Sequence, residues 1–283
     1  MFSDRFIFLS PNVNVMAMGP WAIIIAASAS FLGVAVAVAG VNKAVNTRSA
    51  RTRIVWLSWS SISFGLVGSM GPTCLALVGF EVDGSRVRFD PVWLTAAAVV
   101  SVVGSALAFA ALAPGTRRSQ HISNSPRWGQ LSLSVSLLAA TLIGVHLLIV
   151  QSIQVQGKVY MLIPATALAL VLAIVAAFAT ILAAQLLDTR SRRLLASVGI
   201  TVALASIYFC GILGIDVVVN PAASVPEGFE MFAIALPGYA VLVLLMALPI
   251  TSLLMAPDRV SAELEAEADE LANESAHLEK VGS

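Results

Sequence analysis

Apolar residues in this chain come in long unbroken runs, and polar residues are confined to the short gaps between them. Seven runs stand out, at about 20–41, 54–80, 91–113, 130–154, 160–187, 194–219 and 231–256. Each matches or exceeds the roughly 20 residues that a helix needs to cross a hydrocarbon layer about 30 Å thick. They are too long and continuous for the alternating segments of a membrane barrel, so the pattern predicts an all-α membrane protein with seven transmembrane helices. The first run contains Ala37-Val38-Ala39, which resembles the cleavage site of a leader peptide. Leaders carry positive charge ahead of the apolar stretch, whereas Lys43, Arg48, Arg51 and Arg53 follow it here. The pattern therefore predicts a retained first helix.

Charge sets the expected orientation. One set of connections holds Lys43, Arg48, Arg51, Arg53, Arg117, Arg118, Arg127, Arg190, Arg192 and Arg193, and the opposite set holds only Arg5, Arg86, Arg88 and Lys158. Ten cations against four, with an odd number of spans, predict the N-terminus outside and the C-terminus in the cytoplasm. The expected organisation is an extracytoplasmic N-terminus over 1–19, a seven-helix domain over 20–256 and an acidic cytoplasmic tail over 257–283. The tail holds Asp258, Glu263, Glu265, Glu267, Asp269, Glu270, Glu274 and Glu279 against Arg259 and Lys280. Leu264, Ala268, Leu271, Ser275 and Leu278 form an a/d stripe too short to hold a coiled coil alone. The tail reads either as a solvated, partly helical segment or as a docking helix for a cytoplasmic or membrane partner protein.

Composition narrows the function classes. Residues of the AVILMFWYC group make up 58% of the chain and charged residues 11%, which excludes an ordinary soluble domain and a disordered one. With 16 basic and 16 acidic residues there is no basic excess for a nucleic-acid partner. Cys74 and Cys210 both lie inside apolar runs, so they give no disulfide framework. No phosphate loop, nucleophile elbow, zinc-protease helix or dinucleotide fingerprint is present, and no enzymatic activity is expected.

An internal repeat is visible. The second, fourth and sixth helices each follow a cytoplasmic basic stretch, and each carries an unusual segment in its outer part. These are Met70-Gly71-Pro72-Thr73-Cys74, Val145-His146-Leu147-Leu148-Ile149 and Ile207-Tyr208-Phe209-Cys210-Gly211. Met70, His146 and Tyr208 fall about ten residues below the outer end, roughly 15 Å deep at 1.5 Å per residue. The following connections also correspond, Gly84 to Pro91 leading into the third helix as Gly157 to Pro164 leads into the fifth.

Three helix-pair repeats on a seven-helix frame, a motif in alternate helices and Phe89-Asp90 after the first motif resemble the bacterial MHYT integral membrane sensor domain. The resemblance covers nearly all of 20–256. It implies a multi-pass protein of the bacterial inner membrane. It also implies a site in which His and Met side chains hold a metal, copper, and sense oxygen, carbon monoxide or nitric oxide. Each family motif reads close to Met-His-Tyr-Thr. Here the second segment keeps His146, with Val145 for Met. The third has Tyr208 at the His position and keeps the following Gly211. The first keeps Met70 and has Gly71 for His. The chain resembles a degenerate member.

Read from the residues themselves, His146 is the deepest ionisable side chain in any span. It is either a functional group or a neutral imidazole bonded to a carbonyl or hydroxyl, with Ser132, Ser134, Ser136 and Thr141 on its own helix. Met70, Cys74, His146 and Cys210 lie at similar depth and are of the type that Cu(I) prefers, although the set lacks a ligand spacing such as Cys-x-x-Cys on one element, so folding would have to bring them together. Buried Cys and Met also serve as plain packing residues. Pro72 should kink its helix or free the carbonyl of Gly68. Tyr208 reads as a ligand-binding hydroxyl or as a packed aromatic. Asp216, Glu230, Gln151 and Gln154 sit near outer helix ends, where an interfacial role is expected. Glu81, Asp83, Arg86, Arg88 and Asp90 make a mixed-sign outer loop of solvated ion pairs. Gly33, Gly40, Gly65, Gly68, Ser101, Gly104, Ser105 and Ala108 point to close helix packing.

Three functions fit. The first is a sensor or regulator that binds something small between the second, fourth and sixth helices and shifts between two packings. With only 257–283 after the last helix, its signal would leave through a separate protein. The second is a membrane scaffold or subunit that has lost the ligand. The third is a small-solute transporter, which would show inverted rather than parallel repeats.

Overall fold

The computed structural model describes residues 13–14, 17, 19–47, 49–112, 128–187 and 189–254. The acidic tail with its a/d stripe, and Arg5, Arg48, Arg117, Arg118 and Arg127, lie outside the described residues. Seven helices are long and apolar enough to cross a membrane. They are α1 Pro20–Asn46, α2 Ala50–Gly79, α3 Pro91–Leu112, α4 Trp128–Ser152, α5 Ile163–Leu186, α6 Arg190–Leu213 and α7 Met231–Leu254. The protein is an all-α, multi-pass membrane protein.

The chain forms two units, Met1–Met246 and Ala247–Ser283. In the first, each of α1 to α5 packs on the next, and α6 returns to α1, which also touches α5. In the described part of the second, Thr251 donates its hydroxyl to the Ala247 carbonyl at 2.9 Å. Lipid gives helices no hydrophobic reason to associate, so close backbone approach and hydroxyl bonds carry the packing. Gly33 of α1 lies against the Ser63 carbonyl and Val67 of α2, and Gly65 of α2 lies against the Ser101 carbonyl of α3.

One apolar cluster centres on Phe64 and Phe109, which meet edge to face at 5.8 Å, with Leu138, Ile181 and Ile200. The other lies toward the end of the bundle that carries the strands and includes Phe80, Phe89, Ile149, Ile153, Tyr208 and Ile212.

That end is tied by short antiparallel ribbons. β1 Val13–Asn14 pairs with β2 Glu81–Val82, β3 Arg88–Phe89 with β4 Ile153–Gln154, and β5 Gly157–Met161 with β6 Ile215–Val219. Phe89 also exchanges both backbone bonds with Phe229, at 2.9 and 3.0 Å. Asp90 caps α3: its carboxylate accepts from Val92 N at 2.8 Å, with Pro91 at the first helical position. Arg88 of this loop pairs with Glu230 at 2.9 Å, an exposed bond to the connection before α7.

Several predicted boundaries are corrected. The run at 194–219 divides at Gly214, whose N–H bonds back to Cys210, and Ile215–Val219 is a strand. Tyr160 and Met161 belong to β5, and Gln154 and Asp216, just past the ends of α4 and α6 as expected, lie on strands. Hydropathy cannot tell a β-branched apolar strand from the end of a buried helix. Conversely, α1, α2 and α6 extend beyond their apolar runs to take in Lys43, Arg51 with Arg53, and Arg190 with Arg192 and Arg193. Hydropathy marks the hydrocarbon layer, while the helical hydrogen bonds continue into the charged margin.

Candidate functional site

Helix α2 is irregular where the first motif begins. Ser63–Met70 is wound as a wider π turn in which Gly71 N–H reaches the Leu66 carbonyl, and Pro72 follows in the next turn. Proline has no N–H to give the carbonyl four residues earlier. That carbonyl, Gly68, instead accepts the Ser30 hydroxyl of α1 at 2.6 Å. Ser101 of α3 donates to the Gly65 carbonyl at 2.8 Å. Two neighbouring helices thus satisfy the distorted stretch, which is how an irregular span is tolerated in lipid. Ser30 was not singled out by sequence reasoning; its only signal is its place one turn before Gly33.

The second and third motifs meet directly. His146 is 8% exposed, and its imidazole fills the space beside Gly211 of α6 that any β-carbon there would claim. Its Nε2 is buried without a hydrogen-bond partner. The hydroxyls expected to serve it are occupied or directed elsewhere: Thr141 donates to Leu137 O at 2.7 Å, Ser132 to Gly129 O at 3.1 Å, and Ser134 is itself unpartnered.

Tyr208 stands one helical turn before Gly211, on the same face of α6. It is 6% exposed, its hydroxyl is unpartnered, and its ring meets Phe209 edge-on at 5.2 Å. Tyr208 and Pro72 line one small cavity of about 40 Å³ between α1, α2 and α6, together with Ser30, Gly68, Ser69 and Thr73. Met70 and Cys74, both half-buried, pack on the cluster that contains Tyr208, Val145 and Ile149.

Cys210 is the exception. Two positions after Tyr208 it points about 200° away around the helix, and it packs on the other cluster, beside Ile207 and Leu204. Among the described residues no three His, Cys, Asp or Glu side chains form a group able to hold a metal ion. Cys210 packs on a different cluster from Met70 and Cys74, so these predicted donors are not all brought together, and no step is derived through a metal. Both cysteines are free thiols.

No family model matches the chain, and neither a curated protein nor a solved structure does.

Proposed function

We propose that this protein is an integral membrane sensor or regulator whose responsive site is the meeting point of α2, α4 and α6, a degenerate MHYT-like site. The reading includes an outside N-terminus and three helix-pair repeats, α2 with α3, α4 with α5 and α6 with α7. The strand pairings support the repeat. The segment before α3 pairs with the segment after α4, and the segment before α5 pairs with the segment after α6.

The observation that carries the proposal is the pair of unpartnered groups, His146 Nε2 and Tyr208 Oη, each more than nine-tenths buried on adjoining helices. A buried polar atom without a partner costs about 1–3 kcal/mol. A small ligand that satisfies one of them in only one packing of the helices would shift the balance between packings by its differential affinity. The change would leave the membrane through a separate partner protein.

The test is the thermal stability of the purified protein with and without dissolved oxygen, carbon monoxide, nitric oxide or Cu(I). A shift in the wild type that disappears in His146→Leu and Tyr208→Phe supports the reading. Identical responses in all three proteins remove it. Metal analysis against His146→Ala and Cys210→Ala backgrounds tests the copper version separately, since that version rests on the resemblance.

A second reading, a scaffold or subunit that has lost the ligand, is favoured by one feature: Cys210 turns away from the other soft donors.

A further inference from the structure

At the end of the bundle opposite the strand ribbons, α1 stops at Asn46 and α2 begins at Ala50. Gly40 lets α1 close on α2, with the Ser60 hydroxyl in the space a β-carbon would need. Just beyond, Lys43 holds its ammonium 4.5 Å from the centre of the Trp56 ring, a cation–π contact. Trp56 is 7% exposed, and Arg53 stands one turn before it on α2, half-buried. Residues three apart share a helix face. Arg53 therefore shares a helix face with the indole that Lys43 of the neighbouring helix covers.

No carboxylate among the described residues pairs with either. The described ion pair, Arg88 with Glu230, lies at the other end of the bundle. So do all the described acids: Glu81, Asp83, Asp90, Asp216, Glu227 and Glu230. Cations at a low-dielectric boundary with no carboxylate beside them are stabilised by an anion that approaches them. The residue next to Arg53, Ile54, is 62% exposed, an apolar side chain that the bundle leaves uncovered.

We propose that Lys43 and Arg53 hold the phosphate of an anionic phospholipid at the ends of α1 and α2, with an acyl chain lying along Ile54. A dissolved phosphate ion offers the same charge and the same oxygen acceptors. The exposed apolar surface directly beside the cations favours the lipid, because a free anion gains nothing from it. Basic residues at a membrane margin attract anionic headgroups with an energy that accumulates with each charge. The inference is independent of the outer-half site.

Native mass spectrometry of the full chain in mild detergent, titrated with phosphatidylglycerol or phosphatidylcholine, tests it. The wild type should prefer phosphatidylglycerol, and Lys43→Gln with Arg53→Gln should lower that affinity about tenfold. Arg86→Gln, at the strand end, should leave it unchanged. The charge-conserving pair Lys43→Arg with Arg53→Lys should retain the preference, which separates loss of charge from loss of folding. Wild-type affinity in the double Gln variant, or loss of preference in the charge-conserving variant, overturns the site. Displacement of the lipid by excess inorganic phosphate to the level of the double Gln variant overturns the lipid assignment.

Discussion

The imidazole of His146 in α4 occupies the space beside Gly211 in α6, so that a β-carbon at position 211 would stand 2.6 Å from Nε2. The contact couples α4 to the last turn of α6 through a residue with no side chain. It also explains how a ring of this size is accommodated between the two helices.

Gly211→Ala forces the ring or the helix to move. Overpacking of this kind costs about 1–3 kcal/mol. Unfolding of the purified protein in a detergent titration should show that loss, and Gly211→Ala combined with His146→Ala should lose less than the sum of the two single variants. Strict additivity would mean that the two residues do not share the space.

Ser30→Ala removes the donor to the Gly68 carbonyl, whose usual helical partner is absent because position 72 is proline. A loss of about 0.6–2 kcal/mol is expected, the range for interhelical hydrogen bonds in membranes. Ser28→Ala is the control, because Ser28 only bonds back to Ile24 within α1. Equal thermal midpoints for the two variants contradict the assignment.

Pro72→Ala restores an N–H that can reach Gly68. The penalty of Ser30→Ala should shrink in that background, since the carbonyl then has a second donor. The same substitution should shorten the π stretch, and amide exchange across Ser63–Met70 should slow. Faster exchange there would show that the proline holds the stretch together rather than distorting it.

Gly157 opens the β5–β6 ribbon at φ 149, with its α-carbon facing the Val218 carbonyl. Gly157→Ala meets both an unfavourable backbone and a clash, and should cost about 1–3 kcal/mol. Protection of the Gly157–Met161 amides against exchange reports it, and unchanged protection argues that the ribbon adjusts freely.

Arg88→Gln should matter little. The Arg88–Glu230 pair joins a side chain 23% exposed to one 65% exposed. Exposed pairs contribute under about 1 kcal/mol and fade with added salt. A larger loss that persists in high salt would place the bond in a far drier environment than its exposure indicates.

Much of this was legible in the sequence. Seven apolar runs longer than the hydrocarbon layer leave no alternative to spanning helices, because lipid cannot satisfy bare backbone. The unusual residues Met70, Pro72, His146 and Tyr208 stand out because polar or helix-breaking groups are costly there. Gly71-Pro72 announced a distortion, but not its relief, since Ser30 lies far away in the chain and its hydroxyl is one of many. The Ile215–Val219 strand was hidden because β-branched residues serve equally in a buried helix. Cys210 shares the depth of His146, yet depth is set by residue count while direction is set by helix rotation. The chain alone thus determined which segments are long and apolar enough to span, a quantity that depends only on local composition and a constant rise per residue. Tertiary structure decided which faces meet: that Gly211 receives His146, that Tyr208 shares a cavity with Pro72, and that Cys210 turns elsewhere. Those facts depend on the relative rotation of helices, which the apolar pattern leaves open when every face is apolar.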